Sequence, residues 1–364
     1  MILIFIILTF YFTSILGLSY GFTKIKNYEE IGLQPKTAFT IIVPFRDEDD
    51  NLPILLESLT QLNYPANLFQ VILVDDESKH KFEVPSFNFK VSVIDNYRVS
   101  NSPKKDAIVT AMQQVTTNWI ITTDADCRVP KNWLLTLDNY IQTHDVEMIA
   151  GAVHYEGTDT FLHQFQQLDM ASLQGATIGS FGIGKGFMCN GANLAYTKSL
   201  FKSLNGFDGN NTIASGDDVF LLQKAIAILP KKVHYLKSKY NIVSTQPVNS
   251  WSALFNQRVR WASKTSSYQS NFGKILALIV FAGNVAWLFA VGWCMYSFIM
   301  LQNLLFFIIL KIVIDAVLIL KANRFLSSKK TSYLIVSSLL YPIFSSSVAL
   351  YSLFGKYEWK ERSF

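Results

Sequence analysis

Acidic side chains follow three apolar runs of the sequence. Arg46-Asp47-Glu48 comes after the first run, Asp75-Asp76-Glu77 after the second, and Asp124-Ala125-Asp126 after a later one. Carboxylates gathered in one place repel one another unless a cation or a donor-rich ligand joins them. Oxygen ligands of this kind suit Mg²⁺ or Mn²⁺, which also bridge substrate phosphates. The alternative is turn chemistry, because Asp and Ser often bond their own backbone in loops.

Two D-x-D triplets occur, and their positions distinguish them. Asp124 and Asp126 close the apolar run 119–121, whereas Asp47 and Asp49 precede a helical pattern and can cap that helix. The position therefore favours Asp124 and Asp126 as ligands of a divalent cation.

The order of the predicted elements defines the fold class. Short β-rich runs alternate with amphipathic helical patterns, and such alternation implies βαβ units with right-handed crossovers. We therefore expect a doubly wound α/β domain whose ligands bind beyond the carboxyl ends of its strands. The predicted strands are 39–45, 69–75, 90–95 and 119–124, and the predicted helices are 52–59, 104–115 and 133–141.

The segment Ser215-Gly216-Asp217-Asp218 places two carboxylates before an apolar helical pattern. A helix start of this composition can be an N-cap. It can equally hold a catalytic carboxylate, because a cap position is rigid and lies at the open end of the domain. The two interpretations are compatible.

Gln257, Arg260 and Trp261 share one face of a predicted helix, since they are spaced i, i+3 and i+4. One interpretation is an interfacial helix with Trp at the level of the lipid headgroups. The other is that this face points into a binding site, because Trp251, Leu254 and Phe255 already form an apolar stripe.

Apolar segments at both ends of the chain predict a membrane protein. Half of the residues are hydrophobic and only 16% are charged. Residues 1–22 and 333–354 each fit one transmembrane helix, and 275–320 fits two with a turn near Gln302–Asn303. Lys311 and Asp315 lie within the third span, where we favour a structural ion pair over a transport site.

The positions of Lys and Arg predict how the chain is oriented. Cations flank the first span at Lys24, Lys26 and Lys36, and others lie between the third and fourth spans, at Lys321, Arg324, Lys329 and Lys330. Because cytoplasmic loops carry an excess of cations, we expect the domain between the spans to face the cytoplasm. This model puts the tail outside, although Pro342 could make the last stretch re-entrant, so the side of the tail stays open.

Cysteine and histidine usage disfavours other chemistry. Cys127, Cys189 and Cys294 are far apart and form no C-x-x-C pair, so neither a disulfide framework nor a zinc site is indicated. The histidines form no H-x-x-x-H pair either.

Several motifs in order resemble the family-2 glycosyltransferases of GT-A fold. The resemblance covers about residues 39–268 and is strongest with the membrane branch that contains ceramide glucosyltransferase, hyaluronan synthase and cellulose synthase. The motifs are IIVPFRDEDDNL, LNYP, VILVDDES, KKDAI, TTDAD, NGANLAY, NGFD, SGDD and QRVRW. Each motif is weak alone, and their order and spacing make the signal strong.

This resemblance implies roles for individual residues. Asp126 with Asp124 would hold Mg²⁺ or Mn²⁺ and the diphosphate, and Asp218, next to Asp217, would be the catalytic base. The acceptor and diphosphate residues would be Gln257, Arg260 and Trp261. The residues assigned to the nucleotide sugar are Pro44, Arg46, Glu48, Asp75, Asp76, Lys104 and Asp124.

One departure from the family pattern concerns the lysine. Where the family has Gly-Lys, this chain has Pro103-Lys104. Lys104 is retained, and the neighbouring Lys105 could serve in its place.

The implied reaction needs one base and no general acid, because a nucleoside diphosphate leaves without a proton. A single displacement would invert the anomeric centre. The expected donor is a UDP-sugar, and the expected acceptor is a lipid or lipid-linked hydroxyl; no nucleic-acid partner is expected. A processive β-glycan synthase is the first alternative, since QRVRW is found in polymerising relatives, and a non-catalytic nucleotide-sugar-binding membrane protein is the second.

These interpretations divide the chain into five parts. The predicted GT-A domain, 37–249, lies between an N-terminal transmembrane helix, 1–23, and an interfacial helix, 250–272. A C-terminal region of about three spans, 273–355, and a tail, 356–364, follow. We expect a multi-pass protein of the cell (inner) membrane.

Overall fold

The computed structural model describes residues 2–29, 31–157, 160–210, 213, 215–296, 298–327, 331–354, 358–359 and 362–363. The predicted loop cations Lys329 and Lys330, and most of the predicted tail, lie outside these residues. The chain forms two compact units. We call Lys26–Glu156 with Met188–Gln246 the α/β unit, and Met1–Ile25 with Gly157–Phe187 and Pro247–Phe364 the helical unit.

The α-helices and strands have the following bounds. The helices are α1 (Ile2–Lys24), α2 (Leu52–Thr60), α3 (Pro103–Met112), α4 (Trp133–Thr143), α5 (Phe161–Gly182), α6 (Lys198–Ser203), α7 (Asp217–Ile228), α8 (Trp251–Ser263), α9 (Asn271–Tyr296), α10 (Phe298–Leu326) and α11 (Leu334–Phe354). The strands are β1 (Phe39–Phe45), β2 (Phe69–Asp75), β3 (Lys90–Asp95), β4 (Trp119–Thr122), β5 (Cys127–Arg128), β6 (Met148–Ala150), β7 (Val153–Tyr155), β8 (Leu194–Thr197), β9 (Val233–Tyr235), β10 (Val243–Thr245), β11 (Glu358–Trp359) and β12 (Arg362–Ser363).

A seven-stranded sheet forms the centre of the α/β unit, in the order β3-β2-β1-β4-β8-β6-β9. Strands β3, β2, β1 and β4 are parallel, as predicted, whereas β8 runs antiparallel to both of its neighbours. The sheet is therefore mixed. A second sheet, β5-β10-β7, has three strands.

The register of the sheet brings the strand ends together. Phe45 pairs with Asp75, and Asp75 pairs with Asp95, so β1, β2 and β3 end side by side. Strand β4 ends at Thr122, opposite Ile42, which is two residues earlier than predicted. Asp124 is therefore in the loop after the strand and not in it. Apolar residues fill both faces of β1 and β2, as expected of interior parallel strands.

In the helical unit, α1 packs against α5, α9 and α10. Helices α1 and α5 meet at backbone distance: a Cβ atom on Gly21 would lie 2.0 Å from the Gly179 carbonyl oxygen, and one on Gly182 1.8 Å from that of Gly21. Only glycine fits such a crossing, and small residues at helix crossings are typical of membrane bundles. Helix α5 thus packs inside this unit, although the predicted domain 37–249 includes it.

Three helices are long and apolar enough to cross a membrane, which indicates a membrane-associated protein. Among the described residues they are Ile2–Lys24, Asn271–Met295 and Leu334–Phe354. Helix α10 has the length of a span and also carries charged residues, including Lys311 and Asp315, whose side chains form the expected ion pair at 2.7 Å. The Tyr11 hydroxyl donates a hydrogen bond to the same carboxylate at 2.7 Å.

The predicted turn at Gln302–Asn303 is wrong, because both residues lie inside α10 and the preceding helix ends at Tyr296. Neither residue breaks a helix: Gln and Asn keep the backbone N–H that Pro lacks, and they cost less than Gly in a helix. Helix α11 likewise runs through Pro342 without a break, which disfavours the re-entrant alternative.

We expect Gly21→Ala to lower the free energy of unfolding by about 1–3 kcal/mol, because the added methyl group meets the backbone of α5. Gly17→Ala is the matched control, since nothing lies within 4 Å of its Cβ position one turn earlier in the same helix. Thermal denaturation of the detergent-solubilised protein measures both. Equal midpoints for the two variants would contradict this packing.

Candidate active site

A lysine ammonium joins three separate segments of the α/β unit. The Lys104 Nζ atom, on the first turn of α3, lies 2.5 Å from Asp124 Oδ1 and 3.6 Å from Asp217 Oδ2. Burial opposes the charged lysine, but the carboxylates of Asp124, Asp217 and Asp218 outweigh it and raise the pKa of Lys104. The carboxylates that follow β4 and those that begin α7 are thus brought to one cation.

Asp124, Asp126 and Cys127 form a group whose potential ligand atoms lie within 4.8 Å of one another. The Asp126 side chain reaches solvent yet is surrounded by protein atoms, and this desolvation, with the carboxylates of Asp124 and Glu48, raises its pKa to about 6. Cys127 is buried, which raises the pKa of its thiol and keeps it protonated. The two carboxylates are therefore the donors that fit a hard divalent cation.

The Asp218 carboxylate is oriented by two backbone groups. Gly191 N–H donates to Asp218 Oδ2 at 2.9 Å, and Val219 N–H donates to Oδ1 at 2.7 Å. Asp218 is partly exposed, whereas Asp217 is buried. The N-cap of α7 is Gly216, at φ +86°, so neither Asp is the cap and both lie in the first turn, where the helix dipole favours a negative charge.

Gly191 leaves room for this cluster. A Cβ atom there would lie 3.2 Å from Asp217 Oδ2 and 3.3 Å from Lys104 Nζ. The sequence analysis did not single out this glycine, although it belongs to the motif NGANLAY. Its neighbour Asn193 is buried and accepts a hydrogen bond from Trp133 Nε1 at 3.0 Å.

The loops after β1 and β2 are cross-linked. Asp47 N–H donates to Ser78 Oγ at 2.9 Å, and Lys79 N–H donates to Asp47 Oδ1 at 2.7 Å. Asp47 and Glu77 both have positive φ, an uncommon backbone conformation for residues other than glycine. The prediction that Asp47 or Asp49 caps α2 is wrong, because the N-cap is Asn51, without a side-chain cap.

The residues predicted to hold the nucleotide lie around these loops. Arg46 NH1 donates to the Asp76 carbonyl at 3.3 Å and lies 3.5 Å from Glu77 Oε2. Glu48 accepts a hydrogen bond from Asn51 at 2.6 Å. Pro44, the sixth residue of β1, lies opposite Val74.

Asp75 and Asp76 are both buried and have different surroundings. Asp75 Oδ1 accepts from Ser78 N–H at 2.8 Å and so closes its own turn. Asp76 Oδ1 accepts from Asn96 at 2.7 Å and lies 3.5 Å from Arg98 NH1. Burial raises the pKa of Asp76, although Asn96 and Arg98 act in the opposite direction.

Asn96 connects Asp76 to the lysine helix. Its amide also donates to the carbonyl oxygen of Pro103, the residue before Lys104, at 3.1 Å. Asn96 and Arg98 were missed by the sequence analysis. Their position directly after β3, at the edge where the acidic loops meet, was the available signal.

Lys105 cannot replace Lys104 in the site as the structure has it. Its side chain is 1% exposed, and its ammonium donates to the carbonyl oxygens of Asn210 and Ile213. The expectation of an alternative phosphate lysine is therefore wrong. Consecutive helix residues point about 100° apart, so the two lysines diverge.

Gln257, Arg260 and Trp261 lie on α8, in the helical unit. All three are partly exposed, and the residue between them, Arg258, is buried. Arg258 pairs with Asp169 of α5 at 2.5 Å, donates to Gln257 Oε1, and stacks its guanidinium 4.1 Å from the Trp261 ring centroid. The sequence analysis missed Arg258 and Asp169.

The mixed α/β sheet, with Lys104 and carboxylates gathered beyond the strand ends, agrees with the expected GT-A fold. Residues 40–204 match the family model described as glycosyl transferase family 2. This match supports a family-2 glycosyltransferase that uses a nucleotide sugar, which disfavours the non-catalytic alternative.

One solved structure with a TM-score above 0.5 agrees with the fold, and two others are less similar. A mannosyltransferase, PcManGT from Pyrobaculum calidifontis, in complex with GDP-Man and Mn²⁺, is 15% identical with a TM-score of 0.58 over 96% of this chain and 98% of that one. TarS from S. aureus in complex with UDP-GlcNAc is 15% identical with a TM-score of 0.43, over 90% of this chain and 95% of that one. A glucosyl-3-phosphoglycerate synthase from Mycobacterium tuberculosis is 13% identical with a TM-score of 0.41, over 63% of this chain and 78% of that one. No curated protein matches the sequence.

Lys104→Met is expected to lower the free energy of unfolding by about 1–3 kcal/mol at pH 8, because Asp124 and Asp217 lose their shared cation. Without it, the two carboxylates repel one another in the folded state, and a lower pH relieves that repulsion, so the variant gains stability relative to the wild type as the pH falls. In the wild type the pKa of Lys104 lies above its unfolded value, so its contribution is constant below about pH 10.

The difference in the free energy of unfolding between the wild type and Lys104→Met should therefore be smaller at pH 5 than at pH 8. Thermal denaturation at both pH values measures it, and the exposed Lys202→Met is the matched control. A deficit that is equal at both pH values would show that electrostatic compensation is not what Lys104 supplies.

Proposed function

We propose that this glycosyltransferase is a metal-dependent, inverting enzyme that transfers a sugar from a nucleotide sugar to a lipid or lipid-linked hydroxyl at a membrane. The observation that carries the proposal is the contact of Lys104 with Asp124 and Asp217, which brings together carboxylates from two distant parts of the sequence. A lysine next to a D-x-D triplet and a second acidic pair suits a diphosphate leaving group, one divalent ion and one base.

Asp124 and Asp126 would hold the divalent ion, Mg²⁺ or Mn²⁺. Two carboxylates with a raised pKa at Asp126 form a site of excess negative charge that a cation relieves. When bound, such an ion neutralises charge on the departing diphosphate. Lys104 would share that task from the opposite side of Asp124.

Asp218 is the proposed base. Backbone N–H groups bind both of its oxygens, which fixes the orientation of the carboxylate that would accept the proton of the acceptor hydroxyl. Asp217 is buried against Lys104 and would hold the lysine in place. With a single base and one displacement, an α-linked donor gives a β-linked product.

The nucleotide is proposed to lie over the loops after β1, β2 and β3. Asp75 and Asp76 would contact it, supported by Pro44, Arg46 and Glu48 at the end of β1. Uridine is favoured by the family resemblance.

The acceptor is proposed to be a lipid because the helical unit carries three helices able to cross a membrane. Gln257, Arg260 and Trp261 are the proposed residues for the acceptor and diphosphate, and the catalytic domain is proposed to face the cytoplasm of a cell (inner) membrane. A processive synthase is the alternative, favoured only by the QRVRW motif, and a ladder of polymer lengths among the products would support it.

A donor screen tests the function as a whole. The purified full-length protein is incubated with Mg²⁺ or Mn²⁺, membrane lipid extract and a donor panel of UDP-glucose, UDP-galactose, their N-acetyl forms and GDP-mannose. Nucleoside diphosphate release that requires both the metal and the extract supports the proposal. Release without metal would contradict the assignment of Asp124 and Asp126.

Asp218→Asn should lower kcat by about 10²–10⁴-fold, because the amide cannot accept the proton. Its similar shape should leave binding of UDP with Mn²⁺ within about threefold of the wild type. Nucleotide binding by calorimetry and turnover by diphosphate release separate the two effects. Turnover equal to the wild type would remove Asp218 as the base.

The configuration of the product provides an independent check. An α-linked donor should give a β-glycoside, because one displacement inverts the reacting carbon. Proton NMR of the anomeric signal in the purified product decides the question. An α-glycoside would exclude the single displacement, whichever residue is the base.

A further inference from the structure

Two lysine ammonium groups hold the backbone that leads into the candidate base. We call the described residues between α6 and α7, which are 204–210, 213, 215 and 216, the pre-α7 segment. Lys105 Nζ donates to the carbonyl oxygens of Asn210 at 2.7 Å and Ile213 at 2.8 Å. Lys224 Nζ donates to three earlier carbonyl oxygens, those of Leu204 at 3.3 Å, Gly206 at 3.0 Å and Asp208 at 2.7 Å.

The cost of placing Lys105 there indicates that the contact matters. Desolvating an ammonium is unfavourable unless hydrogen bonds replace its water. A cation on the first turn of a helix also opposes the helix dipole. Both unfavourable effects apply to Lys105, because it is 1% exposed and lies in the first turn of α3. Its Nζ also lies 5.2 Å from the ring centroid of Phe220. It thus contacts both the pre-α7 segment and α7.

The pre-α7 segment needs such support because its backbone is unusual. Asn205, Gly206, Gly209 and Gly216 all have positive φ, and Asn205 is not a glycine. Five carbonyl oxygens of the segment accept hydrogen bonds from the two ammonium groups. The chain leaves the segment at Gly216 and continues directly into Asp217 and Asp218.

We propose that Lys105 and Lys224 are positioning residues that fix Asp217 and Asp218 by holding the pre-α7 segment from its two ends. The proposal rests on the proposed role of Asp218. Helix α3 then acts on the site in two ways: Lys104 contacts the carboxylates of Asp124 and Asp217, and Lys105 contacts the segment that leads into Asp218. Misplacing a base by about 1 Å can cost about 100-fold in rate, so the support belongs to the reaction as well as to the fold.

The test compares Lys105→Met with Lys104→Met in the full-length protein. Lys105→Met keeps the length of the side chain and removes the charge. We expect it to lower kcat on the donor panel by about tenfold or more while the Kd for UDP with Mn²⁺ stays within about threefold. Lys104→Met should instead weaken UDP binding by about tenfold or more. The exposed Lys202→Met is the control and should change neither quantity.

Lys224→Met supplies a second variant from another helix, should Lys105→Met fail to fold. Because both lysines act on one segment, their effects on kcat should be non-additive, with the double variant about as slow as the slower single variant. A kcat of Lys105→Met or Lys224→Met within about threefold of the wild type would overturn the proposal. Parallel losses of kcat and UDP affinity, or strict additivity, would overturn it as well, since either result indicates general destabilisation.

The two proposals fail in different ways. If Asp218→Asn keeps the wild-type turnover, the assignment of the base is lost. If Asp218→Asn is inactive and Lys105→Met is normal, only the positioning role of Lys105 is lost.

Discussion

Repulsion between carboxylates at one edge of a sheet is the constraint on which the rest of the structure depends. The register of β1, β2 and β3 ends these strands together, and acidic residues follow two of them. Arg46 and Arg98 contact the Asp76 region, and Lys104 contacts Asp124 and Asp217. Burial and the nearby carboxylates of Asp124 and Glu48 raise the pKa of Asp126 to about 6, so the carboxylates at the D-x-D triplet are the least compensated of this edge.

Residues of the first turn of α3 contact several of the segments that carry or adjoin these carboxylates. Lys104 contacts the carboxylates and Lys105 contacts the pre-α7 segment. Asp106 accepts hydrogen bonds from the backbone N–H groups of Val99 and Ser100, and it lies 3.3 Å from Arg98 Nε. Three consecutive residues therefore reach three different segments, because a helix turns about 100° between neighbours. This single turn connects the loop after β3, the D-x-D loop and the start of α7.

Much of this arrangement could be predicted from local sequence. Strands β1, β2 and β3 have the predicted bounds, because long apolar runs that end in Asp or Arg are unambiguous. Strand β8 was missed, since a run of four residues does not reveal a strand or its direction. The turn predicted at Gln302–Asn303 was wrong because polarity alone does not end a helix.

Contacts between residues far apart in the chain could not be predicted from the sequence. Nothing near Arg258 indicates that Asp169, 89 residues away, is its partner. The same holds for Lys105, whose two carbonyl partners lie on a segment 105 and 108 residues away. The motifs predicted which residues do chemistry, and the residues that hold them became visible only in three dimensions.

Arg258 in the helical unit and Lys104 in the α/β unit are both cations that acceptor groups of the protein surround. A cation buried by the fold loses its water and must be surrounded by acceptors, so each such cation draws several side chains into a fixed arrangement. Arg258 collects Asp169, Gln257 and the face of Trp261, and it thereby sets the orientation of two residues of the QRVRW motif. Removing its charge would leave the Asp169 carboxylate buried without this partner, and such an uncompensated charge is more unfavourable than the pair. The spacing of Gln257 and Trp261 places them on one helix face but does not fix the orientation of their side chains. The arginine between them supplies the rigidity that the spacing alone does not.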